Sequence, residues 1–246
     1  CRQRGASIGT VRQAYRLLED RGLIEARPQS GYYVRRPAPS IAEPAISKPP
    51  RGPRLVGVQA LVDRVLADAA RGDVVPLGAA IPDVQQTPVA KLQRIVAAIV
   101  RRQGVTMAKY SLPPGREELR RQIAVRVRDW GVRLDPDDIV ITHGCMEAIN
   151  LCLRAVAGPG AVIALESPTY FGVLQIIESL GMKALEIPTH PRTGILLDAL
   201  EAALQREPVK ACILMPNVAN PLSSTMPEAA KKQVVRMLIE YDVPLI

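Results

Sequence analysis

A glycine turn between a predicted strand and a predicted helix holds the residues with the clearest chemistry. Residues 139–142 are Ile-Val-Ile-Thr, a β-branched run that predicts a buried strand. His143-Gly144 interrupts the run, and from Cys145 the apolar residues recur at helical spacing. Free N–H groups at a helix N-terminus that is reached through a glycine bind anions. The pattern predicts a phosphate site at Gly144, Cys145 and Met146, although every strand–turn–helix unit has such a turn.

The elements around this turn predict a parallel sheet. Gly158-Pro159-Gly160 ends the helix, and residues 161–165 form a second apolar strand that leaves through Glu166-Ser167-Pro168. A strand, a helix and a strand in this order make a βαβ unit. A later apolar strand, residues 211–215, leads into a loop that contains Asn217 and Asn220, which are ordinary turn residues in the simplest interpretation.

Four segments resemble the fold-type I aminotransferases, which use pyridoxal 5'-phosphate (PLP), and they occur in family order over about residues 75–246. They are Tyr110…Pro-Gly115…Leu119-Arg120, Thr142-x-Gly144-x-x-x-Ala148, Glu166-x-Pro168-x-Tyr170 and Asn220-Pro221. The resemblance implies an α/β fold with a mostly parallel sheet and flanking helices.

The resemblance also implies roles for single residues. Gly144, Cys145 and Met146 would hold the phosphate, the Tyr170 ring would stack on the pyridine, and the Asn220 amide would hydrogen-bond the ring hydroxyl oxygen. The hydroxyl of Tyr110 would reach the cofactor phosphate of a partner subunit, which requires a homodimer. Packing of both tyrosines without a cofactor is the alternative. Leu222-Ser223 stands where the family often has Thr-Gly, which resembles the regulatory branch as much as the enzymes.

Two groups that PLP chemistry needs are not found in the sequence. The family's Schiff-base lysine and the acid for the ring nitrogen would both follow residue 246, and the seven lysines present stand in other contexts. The chain begins at Cys1 without Met and ends inside a predicted strand, so we expect a fragment of a longer protein. We predict no catalytic residue within it, and neither histidine has a partner base, acid or nucleophile at recognisable spacing.

The charge lies mainly at the N-terminus. The chain has 246 residues and a net charge of +8. Residues 1–54 hold eleven Arg and Lys against four Asp and Glu, and the remaining residues are nearly balanced. A basic segment before a neutral body indicates a polyanionic partner. Four scattered cysteines without a CxxC pair predict reduced thiols in the cytoplasm and no metal site. No apolar run reaches the roughly 18 residues of a membrane span.

The basic segment predicts half of a winged helix-turn-helix. A helix begins after Ser7 or Thr10 and ends at Gly22, and a hairpin with Arg27 at its turn follows. The helix face with Arg12, Gln13 and Arg16 is either a solvated surface or a recognition helix for the major groove of double-stranded DNA.

The same segment resembles the GntR family of bacterial repressors. The positions in family order are Ser7, Thr10, Val11, Ala14, Leu18, Gly22-Leu23-Ile24, Gly31, Tyr33 and Val34. The resemblance implies DNA contacts by Ser7, Thr10, Arg12, Gln13, Arg16 and Arg27. Ile8 and Gly9 replace a polar pair of the family, Ser30 replaces a wing glycine, and the first helices of the motif are missing.

The two resemblances together are typical of the MocR type of transcriptional regulator. We predict a partial DNA-binding domain at residues 1–36, a Pro-rich linker at 37–54 and a partial PLP-binding domain at 55–246. The hypothesis is a regulator that binds DNA as a homodimer and takes PLP, with an amino compound as a further effector. A PLP-dependent aminotransferase and a repressor whose body only dimerises are the alternatives.

Overall fold

The chain forms two compact units. The computed structural model describes residues 7–35, 42–73, 75 and 84–246. The units are Cys1–Pro44 and Ala45–Ile246. Residues 1–6 and 36 of the predicted DNA-binding domain and residues 37–41 of the predicted linker lie outside the described residues. The predicted domain boundaries stay predictions.

The first unit contains the predicted helix and hairpin. Helix α1 is Ile8–Asp20, and the antiparallel strands β1 and β2 are Ile24–Arg27 and Gly31–Val34. The side chain of Ser7 caps α1 by accepting the Thr10 N–H at 3.1 Å. The Tyr15 ring on α1 stacks on Tyr32 of β2 with 4.5 Å between ring centroids, which joins the helix to the hairpin.

A mostly parallel sheet forms the centre of the second unit, as predicted. Its strands are β3 (Arg54–Leu55), β4 (Val162–Ser167), β5 (Lys183–His190), β6 (Gly194–Ile195) and β7 (Val209–Ile213). The order is β3-β5-β4-β7, and β6 pairs with β5. Strand β4 runs parallel to β5 and β7, whereas β3 and β6 are antiparallel to β5. Cys212 of β7 also pairs in parallel with Leu245 near the end of the chain.

The helices of this unit are α2 (Gln59–Ala69), α3 (Val89–Met107), α4 (Glu117–Arg126), α5 (Cys145–Val156), α6 (Phe171–Ser179), α7 (Leu197–Arg206) and α8 (Glu228–Glu240). Helices α5 and α6 pack on one face of the sheet, and α7 and α8 pack on the other. Residues of β4 point alternately into two buried clusters. Ile163 and Leu165 pack with residues of α5 and α6, and Val162 and Ala164 pack with residues of α7 and α8.

The predicted strand at residues 139–142 is wrong. Ile139 is buried, but Val140 is 61% exposed, and no strand pairs with this segment among the residues that the structure describes. Its tie to the Tyr110 segment is one backbone bond, from the Ile141 N–H to the Pro114 oxygen at 2.8 Å. The β-branched run fits a pleated surface, but a strand also needs a neighbour to bond.

The apolar spacing of residues 116–132 predicts one helix with Leu119, Ile123 and Val127 inward, and this prediction is wrong in part. Helix α4 ends at Arg126, and a 3-10 turn, Val127–Trp130, follows. Leu119 is exposed, and Arg120 is buried instead. The Arg120 guanidinium donates to the Pro136 oxygen at 2.6 Å and to Asp137 at 2.8 Å. These bonds compensate the burial of its charge, which a hydrophobic pattern does not reveal.

Residues 45–58, which we call the arm, are bound to the sheet. Strand β3 in the arm pairs with Lys183 and Ala184 of β5. The Thr189 N–H donates to the Ser47 hydroxyl at 2.8 Å, and the Arg54 guanidinium pairs with Glu186. Glu186 also accepts the Ser167 hydroxyl at 2.7 Å. The arm is therefore part of the second unit, although it begins in the stretch that the sequence assigns to the linker.

Gly115→Ala is predicted to destabilise the second unit by several kcal/mol. Gly115 has φ +106, and a Cβ there would lie 2.6 Å from the Cβ and Cγ1 of Ile141. Both the backbone strain and the overlap oppose a side chain, and each such defect costs on the order of 1–3 kcal/mol. Urea unfolding followed by circular dichroism would measure the loss. Gly57→Ala is the control, because no atom lies within 4 Å of its Cβ position. Equal unfolding midpoints for the two variants would contradict the prediction.

Candidate functional site

The predicted phosphate turn lies at the start of α5. Gly144 has φ +91, a conformation that favours glycine, and it is followed directly by Cys145, the first residue of α5. No atom lies within 4 Å of the position that a Gly144 Cβ would take. Gly144 and Cys145 are exposed, and Met146 is half-buried. The first N–H groups of a helix have no partner within it. The turn therefore offers an open, accessible set of donors to an anion.

A carboxylate also lies at this helix start. Glu147 Oε2 accepts the His143 N–H at 2.5 Å and lies 3.2 Å from His143 Nδ1. The hydrogen bond from the His143 backbone holds the pKa of the Glu147 carboxyl below its usual range. Glu147 therefore carries a negative charge in the first turn of α5, where the helix dipole stabilises it.

Tyr170 and Met146 are brought together at one point. Tyr170 is half-buried, immediately precedes α6 and lies beside Phe171, with ring centroids 4.7 Å apart. The shared neighbour is Gly172 in the first turn of α6. A Cβ on Gly172 would lie 2.8 Å from Met146 Sδ and would overlap the Tyr170 ring. The predicted phosphate turn and the predicted stacking ring thus meet across a glycine.

The Asn220 loop leaves the same edge of the sheet. Because β4 and β7 are parallel neighbours, their C-terminal ends lie side by side. Residues 168–170 follow β4 and residues 214–226 follow β7. The loop after β7 is closed by bonds from the Met226 N–H to the Pro216 oxygen at 2.8 Å and from the Ala219 N–H to the Ser224 oxygen at 2.9 Å. Asn220 is exposed on this loop.

The second asparagine of the loop has a structural role. The Lys231 ammonium on α8 donates to Asn217 Oδ1 at 2.7 Å and to Glu228 at 2.6 Å. These bonds fix Asn217 to α8. Both asparagines are exposed, and Asn217 is the one that is bonded to α8.

Glu166 connects the two segments. It is 3% exposed at the end of β4, and its Oε2 accepts the Met215 N–H of the Asn220 loop at 2.8 Å. Its Oε1 is buried without a hydrogen-bond partner in the described part of the chain. Burial raises the pKa of the Glu166 carboxyl, and the Met215 N–H opposes this shift. The nearby Cys212 thiol has its pKa raised to about 12, chiefly by burial and also by Glu166.

Glu166→Gln is predicted to remove a pH dependence of stability. A raised pKa means that the folded chain holds this proton more tightly than the unfolded chain does. The Glu166 carboxyl therefore stabilises the fold fully at pH values below its pKa in the unfolded chain. This stabilisation is lost as the pH rises through its pKa in the folded chain. The amide in Glu166→Gln does not titrate, so its contribution to stability does not change with pH. We expect the wild type to lose thermal stability relative to Glu166→Gln as the pH rises above about 4.5. Melting temperatures measured across that range would test this, and parallel curves would contradict it.

Tyr110 lies outside this cluster. Its side chain is 97% exposed. Its segment is held by Arg120, whose Nε donates to the Gly115 oxygen at 3.3 Å. A hydroxyl so exposed is available to a second subunit, but the predicted contact across a homodimer stays a prediction.

The predicted DNA-binding residues share the first unit. Arg12, Gln13 and Arg16 are exposed on α1. Ser7 and Thr10 bond each other, with 2.8 Å between their hydroxyl oxygens, at the start of the helix. The Arg27 guanidinium lies over the Tyr33 ring at 4.6 Å from its centroid, and Arg27 Nε is 3.8 Å from Glu25.

Comparison with known proteins identifies the family of the second unit. The family model for aminotransferases of class I and II matches residues 72–246. The chain belongs to the class I and II aminotransferase family. A crystal structure of a family member, LysN, the alpha-aminoadipate aminotransferase of Thermus thermophilus complexed with N-(5'-phosphopyridoxyl)-L-leucine, is similar at TM-score 0.61 and 29% identity. That similarity covers 68% of this chain and 41% of LysN.

Two relatives extend the likeness over the N-terminal unit. Both are named uncharacterized HTH-type transcriptional regulators of Escherichia coli (strain K12). YdcR is 42% identical and YjiR 38% identical, and each match covers 98% of this chain. The matches cover 52% of YdcR and 51% of YjiR, so the chain spans about half the length of these relatives. An N-terminal unit followed by a class I and II aminotransferase domain fits the MocR type.

Sequence reasoning missed Gly172 and the role of Glu166. A charged residue at the end of an otherwise apolar strand was the signal for Glu166, because an unpaired buried charge is costly. Gly172 gave a weaker signal, a glycine in the first turn of a helix. Within the described residues, no three His, Cys, Asp or Glu side chains are grouped to hold a metal ion, and no helix is long and apolar enough to cross a membrane.

Proposed function

We propose that this chain is part of a DNA-binding transcriptional regulator whose aminotransferase-like unit binds PLP. The observation that carries this proposal is the pairing of two units in one chain. An exposed helix that carries Arg12 and Arg16, followed by a hairpin, precedes a class I and II aminotransferase domain, and relatives named as HTH-type regulators match 98% of the chain. An aminotransferase activity leaves this helix and hairpin unexplained, whereas both suit the major groove and backbone of DNA.

The residues present fit PLP. The open Gly144 turn offers N–H donors of Cys145 and Met146 to the phosphate. The half-buried Tyr170 ring, which meets the same turn, offers an aromatic face to the pyridine ring, and the exposed Asn220 amide offers a donor to its hydroxyl oxygen. Bound PLP would supply an aldehyde that reacts with amines. Binding and orientation of the cofactor are what this chain's residues supply.

PLP would act as an effector by favouring one arrangement of the DNA-binding units. A ligand shifts such an equilibrium only when its affinity for the two states differs. In this proposal the protein is a cytoplasmic homodimer, the Tyr110 hydroxyl of each subunit reaches the other's phosphate site, and an amino compound adds a second input. Ser7, Thr10 and Arg27 contact DNA phosphates, and Arg12, Gln13 and Arg16 face base edges.

The test uses the complete reading frame that contains this chain. Binding to the DNA upstream of its own gene would be measured by fluorescence anisotropy at fixed salt, with and without PLP. We expect PLP to change the DNA affinity by about 5- to 150-fold, the usual range of coupling between two sites. Pyridoxal without its phosphate is the control ligand and should have a much smaller effect. DNA affinity that is indifferent to PLP would contradict the effector role.

A working aminotransferase is the second candidate. The similarity to LysN, whose structure holds a phosphopyridoxyl amino acid, favours it. Transfer of an amino group from an amino acid to a 2-oxo acid by the complete protein, together with no specific DNA binding, would decide for the enzyme. Specific DNA binding by a protein that never binds PLP would decide for a repressor whose body only dimerises.

A further inference from the structure

Glu166 lies where it can fix the position of the Tyr170 segment relative to the Asn220 loop. It is the penultimate residue of β4, four residues before Tyr170, and its Oε2 accepts the Met215 N–H at the beginning of the Asn220 loop. The carboxyl therefore joins the segment that carries the aromatic ring to the loop that carries the amide.

The surroundings of Glu166 leave it little freedom. Its Oε1 lies 3.7 Å from the position that a Cβ of Gly194 would take, and the side chain of Met226 lies 3.6 Å from the same position. Gly194 has φ +81, so the backbone of β6 approaches this carboxyl where a side chain would intrude. A long polar side chain enclosed in this way has a fixed position.

Several hydrogen bonds hold the Asn220 loop to the rest of the unit. Glu166 accepts the Met215 N–H, the Ile246 oxygen accepts the Leu214 N–H at 3.2 Å, the Lys231 ammonium holds Asn217, and the Arg192 oxygen accepts the Thr225 N–H at 2.9 Å. Among these bonds, the one to Glu166 is made by a fully buried side chain of the strand that leads to Tyr170.

We propose that Glu166 is a positioning residue for the cofactor, which fixes the Asn220 loop relative to the Tyr170 segment through the Met215 amide. The inference rests on the proposed PLP binding. Glu166 does not touch the cofactor. Its effect is to place the amide of Asn220 and the ring of Tyr170 at the separation that one pyridine ring requires. The direction of its pKa shift agrees with this role, because a neutral carboxyl still accepts the amide proton at Oε2.

Two substitutions separate positioning from charge. Glu166→Gln keeps an oxygen for the Met215 N–H, and we expect the affinity for PLP to stay within about threefold of the wild type. Glu166→Met has a similar size and no acceptor oxygen, so the buried N–H loses its partner. We expect it to weaken binding by about tenfold or more. Affinity would be measured in the complete protein by calorimetry with PLP, and with pyridoxine 5'-phosphate, which forms no Schiff base.

A core variant with a similar loss of stability tests whether Glu166→Met weakens binding only because it destabilises the protein. Leu200 on α7 is fully buried in the cluster on the other side of the sheet from α5 and α6. Leu200→Ala should lower the melting temperature at least as much as Glu166→Met does, yet leave the affinity for both ligands unchanged. Wild-type affinity in Glu166→Met, no rescue by Gln, or an equal loss in Leu200→Ala would each overturn the positioning role. If the wild type binds neither ligand, the proposed cofactor itself fails.

Discussion

Replacing Gly172 by alanine is expected to weaken PLP binding by tenfold or more. The added Cβ would lie 2.8 Å from Met146 Sδ and 2.9 Å from Met146 Cε, and it would overlap the Tyr170 ring. The flexible Met146 side chain can move away, but a Tyr170 ring moved by the overlap would no longer stack on the pyridine ring of the proposed cofactor. An ångström of misplacement in a binding site is costly when the site depends on fixed geometry.

The alanine should not destabilise the helix itself. Gly172 has an ordinary φ within α6, and alanine favours a helix over glycine by up to about 1 kcal/mol. The expected result is therefore a protein that folds but binds PLP poorly, which calorimetry and melting curves together would show. Gly158→Ala is the matched control, because no atom lies within 4 Å of its Cβ position and its φ is ordinary. Equal affinities in the two variants would show that the meeting of Met146 and Tyr170 is irrelevant to the cofactor.

Loss of a single arginine from α1 is expected to weaken specific DNA binding by about ten- to hundredfold. Arg12 and Arg16 lie one turn apart on the exposed face of α1, with Gln13 between them. An arginine that bonds a guanine edge contributes roughly 1–3 kcal/mol of discrimination, whereas one that bonds only a phosphate changes affinity for all sequences alike.

The salt dependence of binding and the affinity for a scrambled duplex distinguish a base contact from a phosphate contact. Arg12→Ala and Arg16→Ala would be titrated against the upstream DNA and against a scrambled duplex at several salt concentrations. A base contact lowers the ratio of the two affinities, and a phosphate contact lowers the slope with salt by about one. Arg21→Ala is the charge-matched control, because Arg21 caps the far end of α1. If Arg21→Ala costs as much as the other two, the basic face acts only through its net charge and α1 is not a recognition helix.

Local patterns in the sequence predicted the helices and strands that depend mainly on their own residues. Helix α5 follows from its periodicity and strand β4 from its apolar run. A cap at Ser7 or Thr10 was expected from their side chains, and Ser7 is the one that caps α1. Residues 139–142 failed because strand formation depends on a bonding neighbour, which one stretch of sequence does not contain. The inward side of α4 failed at Arg120 because a charged side chain becomes a core residue only when distant oxygens receive its protons.

The residues of the candidate site also differ in whether the sequence alone could predict them. Gly144, Tyr170 and Asn220 stand in motifs whose order along the chain is visible in the sequence. Glu166 also stands in one of these motifs, but its bond to Met215 is visible only in the fold, as is the approach of Gly172 to Met146. No pattern of residue types encodes these distances of a few ångströms.

The pairing of the arm with β5 also bears on aggregation. Strand β3 occupies the backbone groups of β5 at Lys183 and Ala184, and Ser47 occupies those of Thr189. A protein cut to begin after Leu55, at the predicted edge of the aminotransferase-like domain, would leave this row of N–H and C=O groups open. An open sheet edge recruits strands from other molecules. We therefore expect an aminotransferase-like unit that begins at residue 45 to aggregate less than one that begins after residue 55.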